Sequence, residues 1–176
     1  MNNKKSDKKL SQIRLLLLDV DGVLTDGGIT YTDQGEEIKS FNAKDGLGIR
    51  LAMESGIKVG IITGRKSNAL NHRCKNLGID LVFDGAVDKI KAFDTLLLDT
   101  DIPACRTAFM GDDLIDLGVM KRSGLSFCPA DAHPYVRKNA DIVTMHQGGN
   151  GAVREVCDAI LKAQNKWETI VDRYIS

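Results

Sequence analysis

The chain has 176 residues, 43% of them hydrophobic and 27% charged, with 24 basic against 24 acidic side chains. This length suits one domain with a sizeable core, and the balanced charge gives no electrostatic case for nucleic acid or an anionic membrane as partner. Cys74, Cys105, Cys128 and Cys157 lack metal-finger spacing and read as free thiols in a reducing cytoplasm. The opening MNNKKSDKKLSQ is polar, and the apolar run behind it is broken too soon by Asp19 to act as a signal segment or a membrane span. A cytoplasmic location is therefore expected.

In chain order, residues 1–12 read as a flexible N-terminal tail, 13–164 as the core domain and 165–176 as a C-terminal helical tail. Short apolar runs bounded by turn residues predict strands at Ile13 to Asp19, Ile57 to Thr63, Asp80 to Phe83, Arg106 to Gly111, Leu125 to Cys128 and Asp141 to Met145. Amphipathic stretches between them predict helices at Leu47 to Ser55, Ser67 to Leu77, Lys89 to Leu98, Leu114 to Arg122 and from Ala152 onward, with Pro134 placed to start a further short one. The alternation is that of an α/β fold, a doubly wound parallel sheet of Rossmann-like type. One stretch breaks it: GGITYTDQGEEIKSF, 27 to 41, alternates Ile29 and Tyr31 against Thr30 and Thr32 and turns at DQG, as a β-hairpin flap would. At the far end Val153, Val156, Ile160, Ala163, Trp167, Ile170 and Tyr174 form a helical stripe, suited to docking on the chain's own core or to a subunit contact.

Ligands of open α/β sheets bind at the carboxyl ends of the strands. Four such ends carry polar residues: Asp19 and Asp21 after the first strand, Thr63, Gly64 and Arg65 after the second, Lys89 opening the helix after the third, and Asp112 and Asp113 after the fourth. Each motif alone has an ordinary explanation as a turn or helix cap. With the first strand central, right-handed crossovers bring all four to one rim, and the set acquires a chemistry. Carboxylates of Asp19 and Asp112, Asp113 through water, and the backbone carbonyl of Asp21 make the oxygen-only shell that suits Mg²⁺. A carboxylate attacking a phosphate ester must overcome anion–anion repulsion, which Mg²⁺ on one side and Lys89 on the other would offset. On this reading Asp19 is the nucleophile that forms an aspartyl phosphate, and Asp21 is the general acid and base. Asp21 must start protonated, a state that negative neighbours favour. Thr63, by hydroxyl and backbone N–H, would hold a phosphate oxygen, and Gly22 would let the loop backbone approach closely.

DVDGVLTD, IITGR, the Lys89 position and GDDLID, in that order, resemble the four motifs of the haloacid dehalogenase superfamily of phosphohydrolases. More narrowly, LLLLDVDGVLTDGGI, GEEIKSFNAKDGLGIRLAMESGI, VGIITGRKSNALNHRCKNLGI, GDDLIDLGVM, ADAHPYV and GGNGAVREVCDAIL resemble its capless family of 3-deoxy-manno-octulosonate 8-phosphate phosphatases, across about residues 13 to 164. The resemblance implies a Mg²⁺-dependent phosphatase of lipopolysaccharide sugar synthesis, without a cap domain. It also implies a homotetramer in which one subunit's hairpin and a neighbour's tail cover the pocket. By the same resemblance Asp19, Asp21 and Asp112 match magnesium-site positions. Asp21, Asn42, Ala43, Lys44, Asp45, Gly46, Arg50, Arg65, Arg73 and Lys89 match positions that contact the sugar acid phosphate, with Gly64 and Asp113 beside them. Arginine forks suit such a substrate, which carries a carboxylate as well as a phosphate. Lys44 stands where relatives often have Arg, and Asn150 where they have a basic residue; neither can make the planar fork.

Two alternatives belong to other classes. A receiver-type signalling module also uses acids, a Thr and a Lys on such a sheet, but places adjacent acids after the first strand and its phospho-acceptor after the third. A catalytically idle regulatory subunit would have no need of intact Asp19, Asp21, Lys89 and Asp112. A phosphatase for a nine-carbon keto acid phosphate shares the capless scaffold and stays open as the alternative substrate class.

Overall fold

The computed structural model describes residues 3–175; Met1, Asn2 and Ser176 lie outside the described residues. Six strands form one parallel sheet: β1 (Leu15–Leu18), β4 (Lys58–Ile62), β5 (Leu81–Phe83), β6 (Thr107–Met110), β7 (Leu125–Cys128) and β8 (Ile142–Val143), in the order β5-β4-β1-β6-β7-β8. A separate antiparallel pair, β2 (Thr30–Tyr31) and β3 (Glu37–Ile38), is the hairpin flap. The helices are α1 (Asn3–Leu10), α2 (Ala43–Glu54), α3 (Asn68–Leu77), α4 (Lys89–Thr100), α5 (Leu117–Arg122), α6 (Pro134–Asn139), α7 (Ala152–Ala163) and α8 (Trp167–Ile175).

The run LLLL of β1 is buried at every residue because both faces of a parallel sheet are covered by helices. Leu16 and Leu18 join a core with Ile49 of α2, Leu70 of α3 and Val153, Val156 and Ile160 of α7. Leu15 and Leu17 point the other way, into a core with Phe93 and Leu96 of α4, Val119 of α5 and Val136 of α6. Burying each leucine contributes about 1.5–3 kcal/mol, enough to anchor a strand whose next residue is a charged one.

Register places the functional ends side by side. Leu18 is level with Ile61 on β4 and with Met110 on β6, and the Asp19 N–H continues the ladder to the Met110 carbonyl at 3.0 Å. The switch in strand order lies at β1, so the crevice opens above its carboxyl end.

The six strands and the hairpin fall where the sequence predicts them, and the remaining differences have local causes. Residues 3–10 form helix α1 where the sequence reads as a tail, and the buried Leu10 and Ile13 fasten its end to the core. Helix α2 begins four residues earlier than its apolar pattern, because Asn42 caps it by accepting from the Lys44 N–H at 2.8 Å. The predicted helix from Leu114 opens as a 3-10 turn, Leu114–Asp116, before α5. The C-terminal stripe is divided between α7 and α8, with Asn165 in the left-handed region at φ 56°. Val153, Val156, Ile160 and Ile170 are buried against the same chain, while Tyr174 is exposed. No described helix is long and apolar enough to cross a membrane.

Candidate active site

The cavity above β1 has a volume of about 260 Å³ and is lined by Asp19, Asp21, Gly27, Thr63, Gly64, Arg65, Lys89, Asp112, Asp113 and Ile115. The four predicted loops do converge. Asp19 is 4% exposed, and Lys89, almost as buried, places its Nζ 2.9 Å from Asp19 Oδ2 and 2.7 Å from Asp116 Oδ1. Lys89 is the first residue of α4, whose N-terminus disfavours a cation. Burial opposes its charge as well, but the Asp19 and Asp116 carboxylates outweigh burial and push its pKa up.

Asp116 is the residue that sequence reasoning left out of the site. It is fully buried, and its Oδ2 accepts from the backbone N–H groups of Asp112 at 3.0 Å and Asp113 at 3.2 Å. Carboxylate oxygens of Asp19, Asp112 and Asp116 lie within 4.8 Å of one another. Asp113 was the expected third carboxylate, but its Oδ1 accepts from the Leu114 N–H at 2.7 Å as the cap of the 3-10 turn. The signal was present in GDDLID: one helical turn on from Asp112, residue 116 returns to the same face.

This crowding of acids has an electrostatic cost. Burial, then the Asp116 charge, pushes the Asp19 carboxyl up to about 6 against the opposing pull of Lys89. Burial, then Asp19 and Asp116, pushes Asp112 up to about 7. One lysine does not neutralise three acids, and hard oxygen donors with uncompensated negative charge fit a divalent cation of the Mg²⁺ kind. Gly22 holds φ at +86°, and a Cβ there would run into the Asp112 carboxylate. The close approach expected of Gly22 is thus made to an acid of the cluster.

Asp21 sits apart from this cluster. Its carboxylate pairs with Lys39 from the flap and faces Arg65 Nε at 3.8 Å. The negative neighbours expected around it are absent from its hydrogen bonds; its partners are cations. Thr63 is 2% exposed, and its N–H donates to the Phe83 carbonyl at 2.9 Å. That N–H belongs to the sheet and is not free for the phosphate contact expected of it; the Thr63 hydroxyl accepts from the Arg65 N–H at 3.3 Å. Among the described residues, Arg65 Nε at the cavity wall is a buried donor with no hydrogen-bond acceptor.

Asn42, Ala43, Lys44, Asp45, Gly46, Arg50 and Arg73 do not line this cavity; they gather around the start of α2. The Asn42 carbonyl accepts from Arg73 Nη2 at 2.9 Å, and Arg73 lies over the Phe41 ring at 5.7 Å. Burial, then Arg50, lowers the Arg73 pKa. A side chain at Gly46 would collide with the Arg73 guanidinium. Arg50 is exposed and donates to the Asn76 carbonyl at 2.7 Å. Asp45 departs furthest from the expected substrate role. It is 1% exposed, and its carboxylate accepts from the Arg154 N–H at 2.7 Å and the Gly151 N–H at 3.3 Å, capping α7 from another helix. The GGNG loop packs on the chain's own first loop, with the Gly149 N–H donating to the Val23 carbonyl at 3.0 Å. His133 caps α6 through Nδ1 and donates its own N–H to the Asp112 carbonyl.

A doubly wound sheet bearing an Asp-x-Asp loop, a Thr, a buried Lys and a second acidic loop at one rim defines a phosphohydrolase core, and the chain belongs to the haloacid dehalogenase-like hydrolase family. Residues 81–156 match that family directly. Within it the chain is 52% identical, over 158 residues, to the 3-deoxy-D-manno-octulosonate 8-phosphate phosphatase KdsC of Escherichia coli K12, covering 90% of this chain and 84% of that protein. The crystal structure of the 3-deoxy-D-manno-octulosonate 8-phosphate phosphatase from Yersinia pestis superposes with a TM-score of 0.91 at 49% identity, covering 92% and 88% of the two chains. That of the Moraxella catarrhalis enzyme, in complex with magnesium, phosphate and the sugar acid KDO, superposes with a TM-score of 0.96 at 39% identity, covering 98% and 99%.

Proposed function

We propose that this protein is a phosphatase that hydrolyses 3-deoxy-D-manno-octulosonate 8-phosphate to the free sugar acid and inorganic phosphate, as a step of lipopolysaccharide synthesis in the cytoplasm. The observation that carries the reading is the buried Asp19 held at 2.9 Å by Lys89 and flanked by the Asp112 and Asp116 carboxylates. The identity to relatives named for this activity supports the substrate. The carboxylates of Asp19, Asp112 and Asp116, with the backbone carbonyl of Asp21, would hold Mg²⁺. When bound there it supplies positive charge against the non-bridging oxygens of the phosphoryl group.

The rest follows from the chain's own residues. Lys89 orients the Asp19 carboxylate and offsets its charge. An oxygen of Asp19 attacks phosphorus, the bond to the sugar oxygen breaks, and Asp21 gives its proton to the leaving alkoxide. Asp21 then takes a proton from water, which attacks the aspartyl phosphate and releases phosphate with Asp19 restored. The Thr63 hydroxyl, Gly64 and Arg65 line the wall where the phosphoryl oxygens and the rest of the substrate would lie.

A homotetramer is part of this proposal. The flap exposes Ile29, Tyr31 and Ile38, apolar surface of the kind that subunit contacts cover. Arg50 and Arg73 stand outside their own protomer's cavity, so a part for them in holding the sugar acid carboxylate requires a neighbouring subunit. Light scattering that gives a monomer mass at assay concentration would overturn this element. The substrate assignment is tested by kcat/KM over eight- and nine-carbon keto acid phosphates and simple hexose phosphates. The eight-carbon ester should lead, and equal turnover of hexose phosphates would refute it. Asp19→Asn should abolish phosphate release while circular dichroism stays unchanged.

A further inference from the structure

The flap reaches the site through charge as well as apolar surface. Alternation along β3 puts Glu37 and Lys39 on one face and Ile38, 52% exposed, on the other. Tyr31 lies opposite Glu37 on β2 and joins the inner face. On the wall below stand Asp21 and Arg65, and the four charged groups close a ring. Lys39 Nζ pairs with Asp21 Oδ1 and lies 3.5 Å from Glu37 Oε1. Glu37 Oε1 accepts from Arg65 Nη2 at 2.6 Å, and Arg65 Nε faces Asp21 Oδ2 at 3.8 Å. Arg65 Nη2 also donates to the Tyr31 hydroxyl at 3.1 Å.

With both acids ionised, the two acids and two bases of the ring carry no net charge. The Lys39 side chain is 2% exposed, and a buried ammonium persists only with partners placed to receive it. Among the described residues, the only hydrogen bond that the Asp21 carboxylate accepts comes from Lys39. Asp21 is on a loop with no ladder partner of its own, and without that contact its rotamer is free to turn away from the cavity.

We propose that Lys39 is a positioning residue: carried in on the flap and held by Glu37, it fixes the direction in which Asp21 presents its carboxyl group to the leaving oxygen. The assignment rests on the reading of Asp21 as proton donor. It makes the flap part of the catalytic apparatus, and it names Lys39 and Glu37 as residues through which flap placement governs leaving-group departure.

The test uses the full-length protein with Mg²⁺ and aryl phosphates of graded leaving ability, from 4-nitrophenyl to phenyl phosphate. These carry no sugar, so a direct contact between Lys39 and substrate hydroxyls cannot enter. Leaving-group protonation matters little for nitrophenolate and much for phenolate. Lys39→Met, checked for fold by circular dichroism, should lower kcat/KM by less than about threefold on 4-nitrophenyl phosphate and by about tenfold or more on phenyl phosphate. Lys39→Arg should recover most of that loss, and Asp21→Asn should show the same dependence on the leaving group. An equal loss on all substrates, or none, in Lys39→Met while Asp21→Asn keeps its dependence would overturn the Lys39 assignment alone. A flat dependence in Asp21→Asn would instead overturn the proton-donor reading beneath it.

Discussion

Asp116 offers the sharpest contrast between charge and hydrogen bonding in the site. Its Oδ1 accepts from Lys89 at 2.7 Å, and its Oδ2 from two backbone N–H groups at 3.0 and 3.2 Å. Asp116→Ala removes all of these and leaves the part-buried N–H groups of Asp112 and Asp113 without that acceptor. Breaking a buried charged network of this kind costs about 3–5 kcal/mol, a fall in Tm on the order of 10 °C for a domain of this size. Asp116→Asn differs: its carboxamide oxygen can keep the two N–H bonds, and Lys89 retains Asp19 at 2.9 Å. The same change removes one of three mutually repelling acids, and Asp116 is the leading charge raising the Asp19 pKa. Without metal, Asp116→Asn should therefore stay within about 1 kcal/mol of wild type, a small residue of opposing effects. With Mg²⁺ the order reverses, since one anionic donor is gone. Affinity should fall by at least tenfold to a hundredfold, which removes about 1.4–2.7 kcal/mol of the stabilisation conferred by Mg²⁺. Scanning fluorimetry across a Mg²⁺ titration reads both quantities. If metal-free Asp116→Asn melts as low as Asp116→Ala while Mg²⁺ raises its Tm as in wild type, the acid cluster is not what limits stability and the reasoning fails.

Three further outcomes follow from the same geometry. Asp112, near 7, and Asp19, near 6, bind protons more tightly in the folded protein than in the unfolded chain. Their contribution to metal-free stability therefore grows as pH falls from about 7 toward 4 and is lost as pH rises through those values. The Mg²⁺-induced rise in Tm should accordingly be large at pH 8 and shrink toward pH 5.5; an equal rise at both would contradict the assignment. Asp45→Ala should cost about 1–3 kcal/mol by uncapping α7, visible in urea unfolding as a lower midpoint. Gly22→Ala should abolish turnover because its Cβ displaces Asp112, and kinetics within twofold of wild type would show that the loop has room.

Much of the architecture was legible in local pattern. Four buried leucines followed by Asp-x-Asp-Gly mark a central strand and the loop at its end, because an apolar run without alternation requires cover on both faces. Turn residues and helical spacing then locate the other strands, and the right-handed crossover rule brings Thr63, Lys89 and Asp112 to the rim beside Asp19. What chain order does not contain is the set of contacts between side chains whose separation in sequence is large. Asp45 looks like a substrate residue in a run of polar positions, yet it caps a helix 106 residues further on. Asp116 and Asp113 carry the same side chain three residues apart, and only the 3-10 turn decides which carboxylate faces Lys89 and which caps the turn. Lys39 stands 18 residues from Asp21, and only the placement of the flap pairs the two. Composition and periodicity follow from each residue's own chemistry, so they survive in the sequence. The partner of a buried charge is settled by which elements pack together, and that belongs to the tertiary structure alone.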